Sequence, residues 1–424
     1  MTPHRRWRIA VLLGAGVLVN YFDRVNVSVA HDALHAEFGL TNIAFGYVLS
    51  AYSWTYAALQ LPMGVLLDRF GVRAIGRLSA LLWSVASFAA AAASGIASFI
   101  GARLLLGVGE APTFPANAKA IGMWFPRDER SFATALFDAA AKFASGIGVP
   151  LIGAVLIRFG WRLSFAATGI ISFLYFAAFY FVYRDPKDDA GLTRRELEFI
   201  ERGGANPGKQ KDQPGASAPL WYLLTQRKVI GLTLGFAAYN YCFYLFLTWL
   251  PSYFSALHMN LEHSILFTSV PWLFGTATDL LVGGWLVDAL VRRGYPETIV
   301  RQSILVGGTV LGLAIAGAMF TANPFVAAFW ISISLGGLSA AAPVGWSIPS
   351  LIAPRNSVGK VGGIVNFGNQ ISAIVAPIAT GYFAGAANSF SRAFAAAAVI
   401  LLIGIAGYLL LLGKIEPVPE PFGT

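Results

Sequence analysis

The chain has 424 residues, of which 56% are hydrophobic and only 12% are charged, and its mean hydropathy is +0.64. Soluble proteins carry about 25% charged residues, so the composition excludes an ordinary soluble domain. The net charge of +9 does not indicate nucleic-acid binding, because Lys and Arg fall mostly in alternate loops between apolar runs, as orientation signals do. The single cysteine, Cys242, excludes a disulfide framework and a cysteine-based metal site.

The apolar runs are continuous rather than alternating, which predicts an all-α membrane protein with transmembrane helices. Each of the twelve runs approaches the roughly 20 residues that cross a bilayer. In the first half we expect spans at 8–30, 43–67, 76–96, 98–120, 131–158 and 162–183. In the second half we expect them at 226–256, 262–289, 300–321, 323–350, 359–386 and 388–413. The first run contains charges and no small-residue cleavage site follows it, so it is predicted to be retained.

One long polar stretch divides the chain into two six-helix bundles, at 1–183 and 223–424, joined by a linker at 184–222. Thr193 and Glu196 have capping-box spacing, which predicts a short surface helix, and 203–219 is typical of a flexible linker. Basic residues concentrate in one set of loops: Arg5, Arg6, Arg8, Arg69, Arg73, Arg77, Arg127, Arg130, Arg292 and Arg293. We therefore expect both termini and the linker on the cytoplasmic side of the membrane.

The two halves repeat. Gly64 precedes Asp68 by four residues at the end of the second span, and Gly284 precedes Asp288 with the same spacing at the end of the eighth. Lys142 precedes Pro150 by eight residues, and the spacing returns in Asn369 and Pro377. Parallel six-plus-six repeats around a central cavity are typical of transporters.

Charged residues inside apolar spans are the most informative feature. Asp23 and Arg24 lie in the first span, Arg103 and Glu110 share one face of the fourth, and Lys142 lies in the fifth. Charges at membrane depth are costly and usually mark an ion or substrate path. Counted by depth, the sequence permits two acid–base clusters, Asp23/Arg24/Arg103 and Glu110/Lys142. The alternative is that these charges form fixed ion pairs that hold the bundle together.

Arginine offers a permanent positive charge and a fork that suits a carboxylate. An anion that binds to the arginine weakens the electrostatic attraction that keeps a neighbouring carboxylate ionised. Anion binding and protonation of that carboxylate therefore favour each other. Lys142 is either a substrate cation or a structural partner of Glu110. Asp279 is either a second proton site or a helix–helix hydrogen-bonding group, which we favour, and Asp138 is expected to be solvated.

Polar and aromatic residues within the spans are the remaining candidates for ligand contacts. Polar groups there must find partners and so face the bundle interior. The candidates are Tyr21, Tyr56, Gln60, Tyr241, Trp346, Asn366 and Asn369. Each has an alternative interpretation as helix packing, although Tyr21 and Tyr56 neighbour the charged clusters.

Two groups of motifs resemble a known family. The stretch Gly64-VLLDRFGVR-Ala74 resembles the loop signature of the major facilitator superfamily. Asn20-YFDRVNVSVA and the segment from Arg103 through GEAPTFPANAK resemble the anion:cation symporter family within it, which includes bacterial sugar-acid:proton symporters. The resemblance implies that Arg24 grips a substrate carboxylate and that Asp23 and Glu110 couple protons, tuned by Arg103. It also implies that Tyr21 and Tyr56 line the cavity and that Gly64, Asp68 and Arg69 form a conformational latch.

Lys142 departs from the pattern, because a sugar-acid carrier of that family has a neutral polar residue there. The added cation suggests a ligand with more negative charge, such as an aldarate, or a changed coupling. We predict a proton-coupled symporter of an organic carboxylate that works as a monomer, without a cofactor, metal or nucleic-acid partner. The rival on the same fold is a drug:proton antiporter. An enzyme is disfavoured, because the five histidines lie at termini or loops and no nucleophile elbow is present.

Overall fold

The protein is almost entirely helical. A computed structural model describes residues 5–126, 129–205, 218–354, 357–385 and 389–420. Its helices in the first part of the chain are α1 (Arg5–Val29), α2 (His31–Phe38), α3 (Asn42–Ala91), α4 (Ile96–Glu110), α5 (Thr113–Trp124), α6 (Arg130–Val182) and α7 (Arg194–Arg202). The later helices are α8 (Leu220–Thr225), α9 (Arg227–Ala256), α10 (Leu261–Thr278), α11 (Val287–Arg292), α12 (Glu297–Gly312), α13 (Pro324–Ile352), α14 (Val358–Ala384) and α15 (Ser391–Ala406).

Two long helices each contain two of the predicted spans. α3 is interrupted at Gly71 and α6 at Gly160, both with φ of +80°. That left-handed conformation is strained for residues with a Cβ, so glycine lets the chain reverse without a long loop. Within the described residues, nine helical stretches are long and apolar enough to cross a membrane, and one of them, Phe132–Val182, contains two predicted spans. The predicted all-helical membrane fold is confirmed.

Irregular helical turns extend three of the later helices. A π-helical segment, Asp279–Leu286, continues α10, and a second, Gly407–Leu412, follows α15. A 3₁₀ segment, Leu313–Phe320, continues α12. π segments are rare and are often found at functional sites. Here the segment that begins at Asp279 approaches α13 closely, because a Cβ added to Gly283 would lie 2.6 Å from the Ala340 carbonyl oxygen.

The chain forms two compact units. Unit 1 comprises Met1–Phe38 and Ala51–Asp212, and unit 2 comprises Gly39–Ser50 and Gln213–Thr424. The start of α3 belongs to unit 2, where Asn42 Nδ2 donates a hydrogen bond to the Gly385 carbonyl at 2.7 Å. Residues 206–217, which make up most of the stretch predicted to be flexible at 203–219, lie outside the described residues.

Unit 1 is built around α1, which is buried along most of its length and packs mainly on α6. Its N-terminal end is held by ion pairs: Arg5 to Asp189 at 2.7 Å, and Arg6 to Glu129 at 2.7 Å and to Glu196 at 3.0 Å. Glu196 belongs to α7, whose cap Thr193 accepts a hydrogen bond from the Glu196 backbone N–H. These contacts fix the axial position of α1 and so of the charged residues in its middle.

Candidate functional site

The centre of the candidate site is an ion pair between α1 and α4. Arg24 Nη2 lies 2.7 Å from Glu110 Oε2, and Arg24 Nε donates to the same oxygen at 2.8 Å. The two side chains are 3% and 0% exposed, so the pair is fully buried in unit 1. The other carboxylate oxygen, Glu110 Oε1, has no hydrogen-bond partner among the described residues. The carboxylate is thus bound through one oxygen only.

Glycines let α4 approach its neighbours close to Glu110. A Cβ at Gly107 would lie 2.1 Å from the Tyr52 carbonyl oxygen, and one at Gly109 would lie 2.7 Å from the Trp83 backbone nitrogen. Both distances are shorter than van der Waals contact, so only glycine fits without displacing α3. Glu110 is the last residue of α4, and Pro112 precedes α5. The acid therefore lies at a helix break.

Three tyrosine rings surround the Arg24 guanidinium. Its carbon lies 4.7 Å from the ring centre of Tyr21, 5.0 Å from that of Tyr52 and 5.4 Å from that of Tyr56. Cations are attracted to aromatic faces at these distances, more strongly where water is excluded. The rings stabilise the positive charge, and Tyr56 is also a hydrogen-bond partner of Arg24. The Nε and Nη2 groups of the fork bind the Glu110 carboxylate, so they are able to serve an anion. Sequence reasoning missed Tyr52, although its four-residue spacing from Tyr56 places both on one helix face.

Asp23 has different partners from Arg24, although the two residues are adjacent. Ser87 Oγ donates to Asp23 Oδ1 at 2.7 Å, and Ser172 Oγ donates to Oδ2 at 3.0 Å. Consecutive helical residues point about 100° apart, which directs Asp23 towards α3 and α6. The two serines were not predicted. Hydroxyl donors reduce the cost of burying an ionised carboxylate.

Arg103 lies beside Asp23 and Tyr52. Its Nη1 donates to the Asp23 backbone carbonyl at 3.4 Å, and its guanidinium carbon lies 5.2 Å from the Tyr52 ring centre. Arg103 Nε has no hydrogen-bond partner among the described residues. Asp23, Ser87 and Arg103 line a small cavity. The predicted cluster of Asp23, Arg24 and Arg103 is therefore assembled around Tyr52, with Glu110 as an additional member.

The pairing of Glu110 with Lys142, which the sequence permitted, is wrong. Lys142 Nζ instead lies 2.7 Å from Asp138 Oδ2, one helical turn earlier on α6. The expectation that Asp138 is solvated is also wrong, because its side chain is only 15% exposed. The four-residue spacing allows this pair to form within one helix. Lys142 therefore carries its own counter-ion, and its charge is already balanced.

The remaining predicted residues are distributed over both units. In unit 1, Gln60 Nε2 donates to the Ala111 carbonyl at 3.3 Å, at the break beside Glu110. Of the predicted latch, Gly64 and Arg69 lie in α3, and the Asp68 side chain lies outside the described part. In unit 2, Tyr241 and Asn369 are buried, Asn366 is half-buried, and Trp346 is 40% exposed with its ring edge-on to Phe236 at 4.9 Å.

Asn369 is placed by a backbone contact in unit 2. Asn240 Nδ2 donates to its carbonyl oxygen at 2.6 Å, and this bond joins α9 to α14. The Asn369 side-chain oxygen has no hydrogen-bond partner among the described residues.

Across the described ranges, no group of three or more His, Cys, Asp or Glu residues is arranged to hold a metal ion.

A many-helix membrane fold with charged groups buried in unit 1 is typical of a membrane transporter, and the comparisons agree. Residues 13–300 match the Major Facilitator Superfamily, so the chain belongs to that family and is a transporter rather than an enzyme. The fold is similar to that of the proton:xylose symporter XylE bound to 6-bromo-6-deoxy-D-glucose, with a TM-score of 0.74 at 16% identity and 98% coverage of both chains.

Relatives within the family show which transporters this chain is similar to. The chain is 41% identical to the uncharacterized transporter YybO of Bacillus subtilis, covering 97% of this chain and 95% of the relative. It is 31% identical to a D-galactonate transporter of Escherichia coli, covering 98% and 97%. It is 33% identical to the probable galactarate/D-glucarate transporter GudP of Bacillus subtilis, covering 97% and 93%. The predicted resemblance to sugar-acid transporters is confirmed.

Proposed function

We propose that this chain imports an organic carboxylate, a sugar acid such as an aldonate, uronate or aldarate, together with protons, by alternating access. It would lie in the bacterial inner membrane with both termini in the cytoplasm. The observation that carries this proposal is the buried Arg24–Glu110 pair, in which Glu110 occupies the fork through one oxygen and three tyrosines surround the cation.

In this mechanism the Glu110 carboxylate binds Arg24 while no substrate is bound, at the position that the substrate carboxylate would take. An arriving anion competes for the same guanidinium donors, and two carboxylates close to one cation repel each other. Protonating Glu110 removes its charge and frees the fork. Substrate binding and proton uptake then favour each other, which is the linkage that a symporter needs.

Asp23 supplies a second titratable group that is not used to hold Arg24. Its ionised form is stabilised by Ser87 and Ser172, and one of these hydroxyls can accept the hydrogen bond that the acid donates when it is protonated. We assign Asp23 to proton coupling and Arg103 to positioning it. Lys142, balanced by Asp138, remains available to a second carboxylate only if Asp138 is protonated or moves.

Uptake of labelled galactonate and glucarate into proteoliposomes tests the proposal. We expect uptake to rise when the outside is acidified and to be abolished in Arg24→Ala. In Glu110→Gln and Asp23→Asn the stimulation by acid is expected to disappear. Arg162→Gln, which breaks an exposed pair with Glu37, serves as the charge-removal control. Acid-stimulated uptake that persists in both carboxyl variants would remove the proposed proton sites.

Export of cationic drugs is the rival activity. A buried, permanently charged Arg24 disfavours a cationic ligand at this position. Thermal stabilisation of the purified protein by sugar acids, and not by lipophilic cations, is expected. Stabilisation by cations alone would support the antiporter instead.

A further inference from the structure

Two arginine side chains meet at the C-terminal end of α6 in unit 1. Arg77 Nη2 and Arg184 Nη1 both donate to the Tyr180 carbonyl oxygen, at 2.7 Å and 2.9 Å. Arg184 Nη1 also donates to the Tyr183 carbonyl oxygen at 2.8 Å. Neither guanidinium forms an ion pair with any residue in the described ranges. This end of α6 therefore holds two positive charges that no described carboxylate neutralises.

The charges around Arg77 add to this excess of positive charge. Arg73 and Arg184 both repel the Arg77 guanidinium, whereas Tyr180 attracts it, with 4.1 Å between the guanidinium carbon and the ring centre. Asp185, the next residue along the chain from Arg184, is attracted to Arg73. Like charges that lie close together repel each other, and an anion placed beside them lowers that cost. The cluster therefore favours a negatively charged ligand.

Capping of α6 explains part of this arrangement. Carbonyl groups in the last turn of a helix lack partners within the helix, and basic side chains there can satisfy them. A guanidinium, however, has more N–H donors than these bonds use. In hydrogen bonds to described residues, Arg77 uses only Nη2 and Arg184 uses only Nη1. Arg77 Nη1 and Arg184 Nη2 are thus available to a further acceptor.

The two arginines lie where two predicted membrane spans end. Arg77 is the second residue of the span predicted at 76–96, and Arg184 directly follows the span predicted at 162–183. Apolar spans end where the hydrocarbon core meets the polar headgroups. We therefore expect both guanidiniums at the depth of lipid phosphate groups. Basic residues at this depth attract anionic lipids.

An apolar strip leads away from the arginines along the contact between α3 and α6. The helices approach closely at Gly169, where an added Cβ would lie 3.0 Å from the Phe88 ring. Leu81 and Phe88 lie four and eleven residues after Arg77, which places all three in line on α3. We define the α3–α6 strip by its exposed members: Leu81, Phe88, Phe173 and Tyr180. A strip of this kind with a cationic end matches the two parts of an anionic phospholipid.

We propose that Arg77 and Arg184 bind the phosphate group of an anionic phospholipid whose acyl chains lie along the α3–α6 strip. The remaining N–H donors of the two guanidiniums bind phosphate oxygens, for which the planar fork of arginine is well suited. The site takes a lipid rather than inorganic phosphate, because only acyl chains can use the apolar contacts of the strip. A zwitterionic lipid binds less tightly, because its own cation offsets the phosphate charge. The site uses none of the residues assigned to substrate or proton binding.

Binding to the purified full-length protein is measured by native mass spectrometry with phosphatidylglycerol, with phosphatidylcholine and with inorganic phosphate. The test variant is Arg77→Gln with Arg184→Gln, which removes both charges and keeps polar side chains. Arg194→Gln with Arg202→Gln is the matched control, because those exposed arginines already pair with Glu198. A structure of the wild-type protein in phosphatidylglycerol nanodiscs gives a second readout that needs no variant. Phosphate density is sought within about 3 Å of the two guanidiniums.

We expect wild-type protein to bind phosphatidylglycerol at least about tenfold more tightly than phosphatidylcholine, and the test variant to lose at least about tenfold in affinity for phosphatidylglycerol. The control is expected to stay within about twofold of the wild type, since its arginines are balanced. Inorganic phosphate in large molar excess is expected not to displace the lipid.

Four results would each overturn the proposal: equal binding of the two lipids, equal binding by the test variant and the wild type, displacement of the lipid by inorganic phosphate, or absence of phosphate density at the arginines. If the test variant does not fold, the lipid preference of the wild type and the density decide. Neither readout depends on transport, so both stand even if the proposed function fails.

Discussion

Unit 1 and unit 2 bury different kinds of side chain. Unit 1 buries charges within the predicted membrane spans: Asp23, Arg24, Arg103, Glu110 and Lys142. In the described part of unit 2, Asp279 is the one charged side chain that is buried, and α9 instead buries a row of aromatic residues that includes Tyr239, Tyr241 and Trp249. Charge at membrane depth is costly unless it is used. On the proposed function, we therefore expect ion coupling to depend on unit 1.

The largest expected effect comes from removing the central cation of unit 1. Arg24→Ala eliminates the fork and leaves Glu110 buried without its cation, so substrate uptake is expected to fall on the order of 100-fold or more. Arg24→Lys keeps the charge but loses the bidentate geometry, and an intermediate loss is expected. Initial rates of labelled galactonate uptake measure both variants. Equal activity of the alanine variant and the wild type would contradict the assignment.

A matched pair of carboxyl variants compares the two units directly. Asp23→Asn is expected to abolish accumulation against a gradient while exchange continues, because a neutral amide cannot release a proton. Asp279→Asn, in the π segment of unit 2, is expected to retain acid-driven accumulation within about threefold, as a helix–helix hydrogen-bonding group would. The ratio of net uptake to exchange is the measurement. Loss of coupling in the Asp279 variant alone would contradict the assignment of the proton-coupling carboxyl to unit 1.

A smaller effect is expected from the tyrosine that sequence reasoning missed. Tyr52→Leu removes one ring face from both Arg24 and Arg103, and a cation–π contact in a desolvated site contributes about 0.5–2 kcal/mol. Substrate binding is therefore expected to weaken by roughly 2–30-fold. Tyr52→Phe keeps the ring and is expected to bind nearly as well as the wild type. Equal weakening in both variants would show that the hydroxyl, not the ring, matters.

The smallest expected effect lies at the surface of unit 1. Hydrogen bonds from Arg162 and Trp161 hold the pKa of Glu37 below its usual value. A carboxyl with a lowered pKa stabilises the fold above its unfolded-state pKa of about 4.3, and that contribution is lost as the pH falls through the lowered value. Because the pair is exposed, Glu37→Gln is expected to change thermal stability only slightly at pH 7. A large loss of stability would contradict this picture.

The sequence singled out buried charged residues, but it did not predict their partners. Asp23, Arg24 and Glu110 are conspicuous, because a charge in an apolar run needs no alignment to be noticed. The Arg24–Glu110 pair could not be predicted, because it depends on which helices are neighbours and how each is rotated. The Asp138–Lys142 pair was predictable from its four-residue spacing. Ser87 and Ser172 carried no signal, because serine is common in membrane helices.

The fold followed from the sequence for a simpler reason. Apolar length alone predicts spans, whereas the tight reversals at Gly71 and Gly160 need a left-handed residue, which glycine supplies. The break between α4 and α5 was not expected within the predicted span at 98–120. It follows from Pro112, which lacks the N–H that a continuous helix would use.

Calorimetric titration of a sugar acid in buffers of different ionisation enthalpy tests the central claim most directly, because it counts the protons taken up with the substrate. If Glu110 and the substrate carboxylate compete for Arg24, the wild-type protein will take up protons on binding and bind more tightly as the pH falls. Glu110→Gln will take up about one proton fewer and will bind with little dependence on pH. Proton uptake and pH dependence that are the same in Glu110→Gln and the wild type would contradict the account.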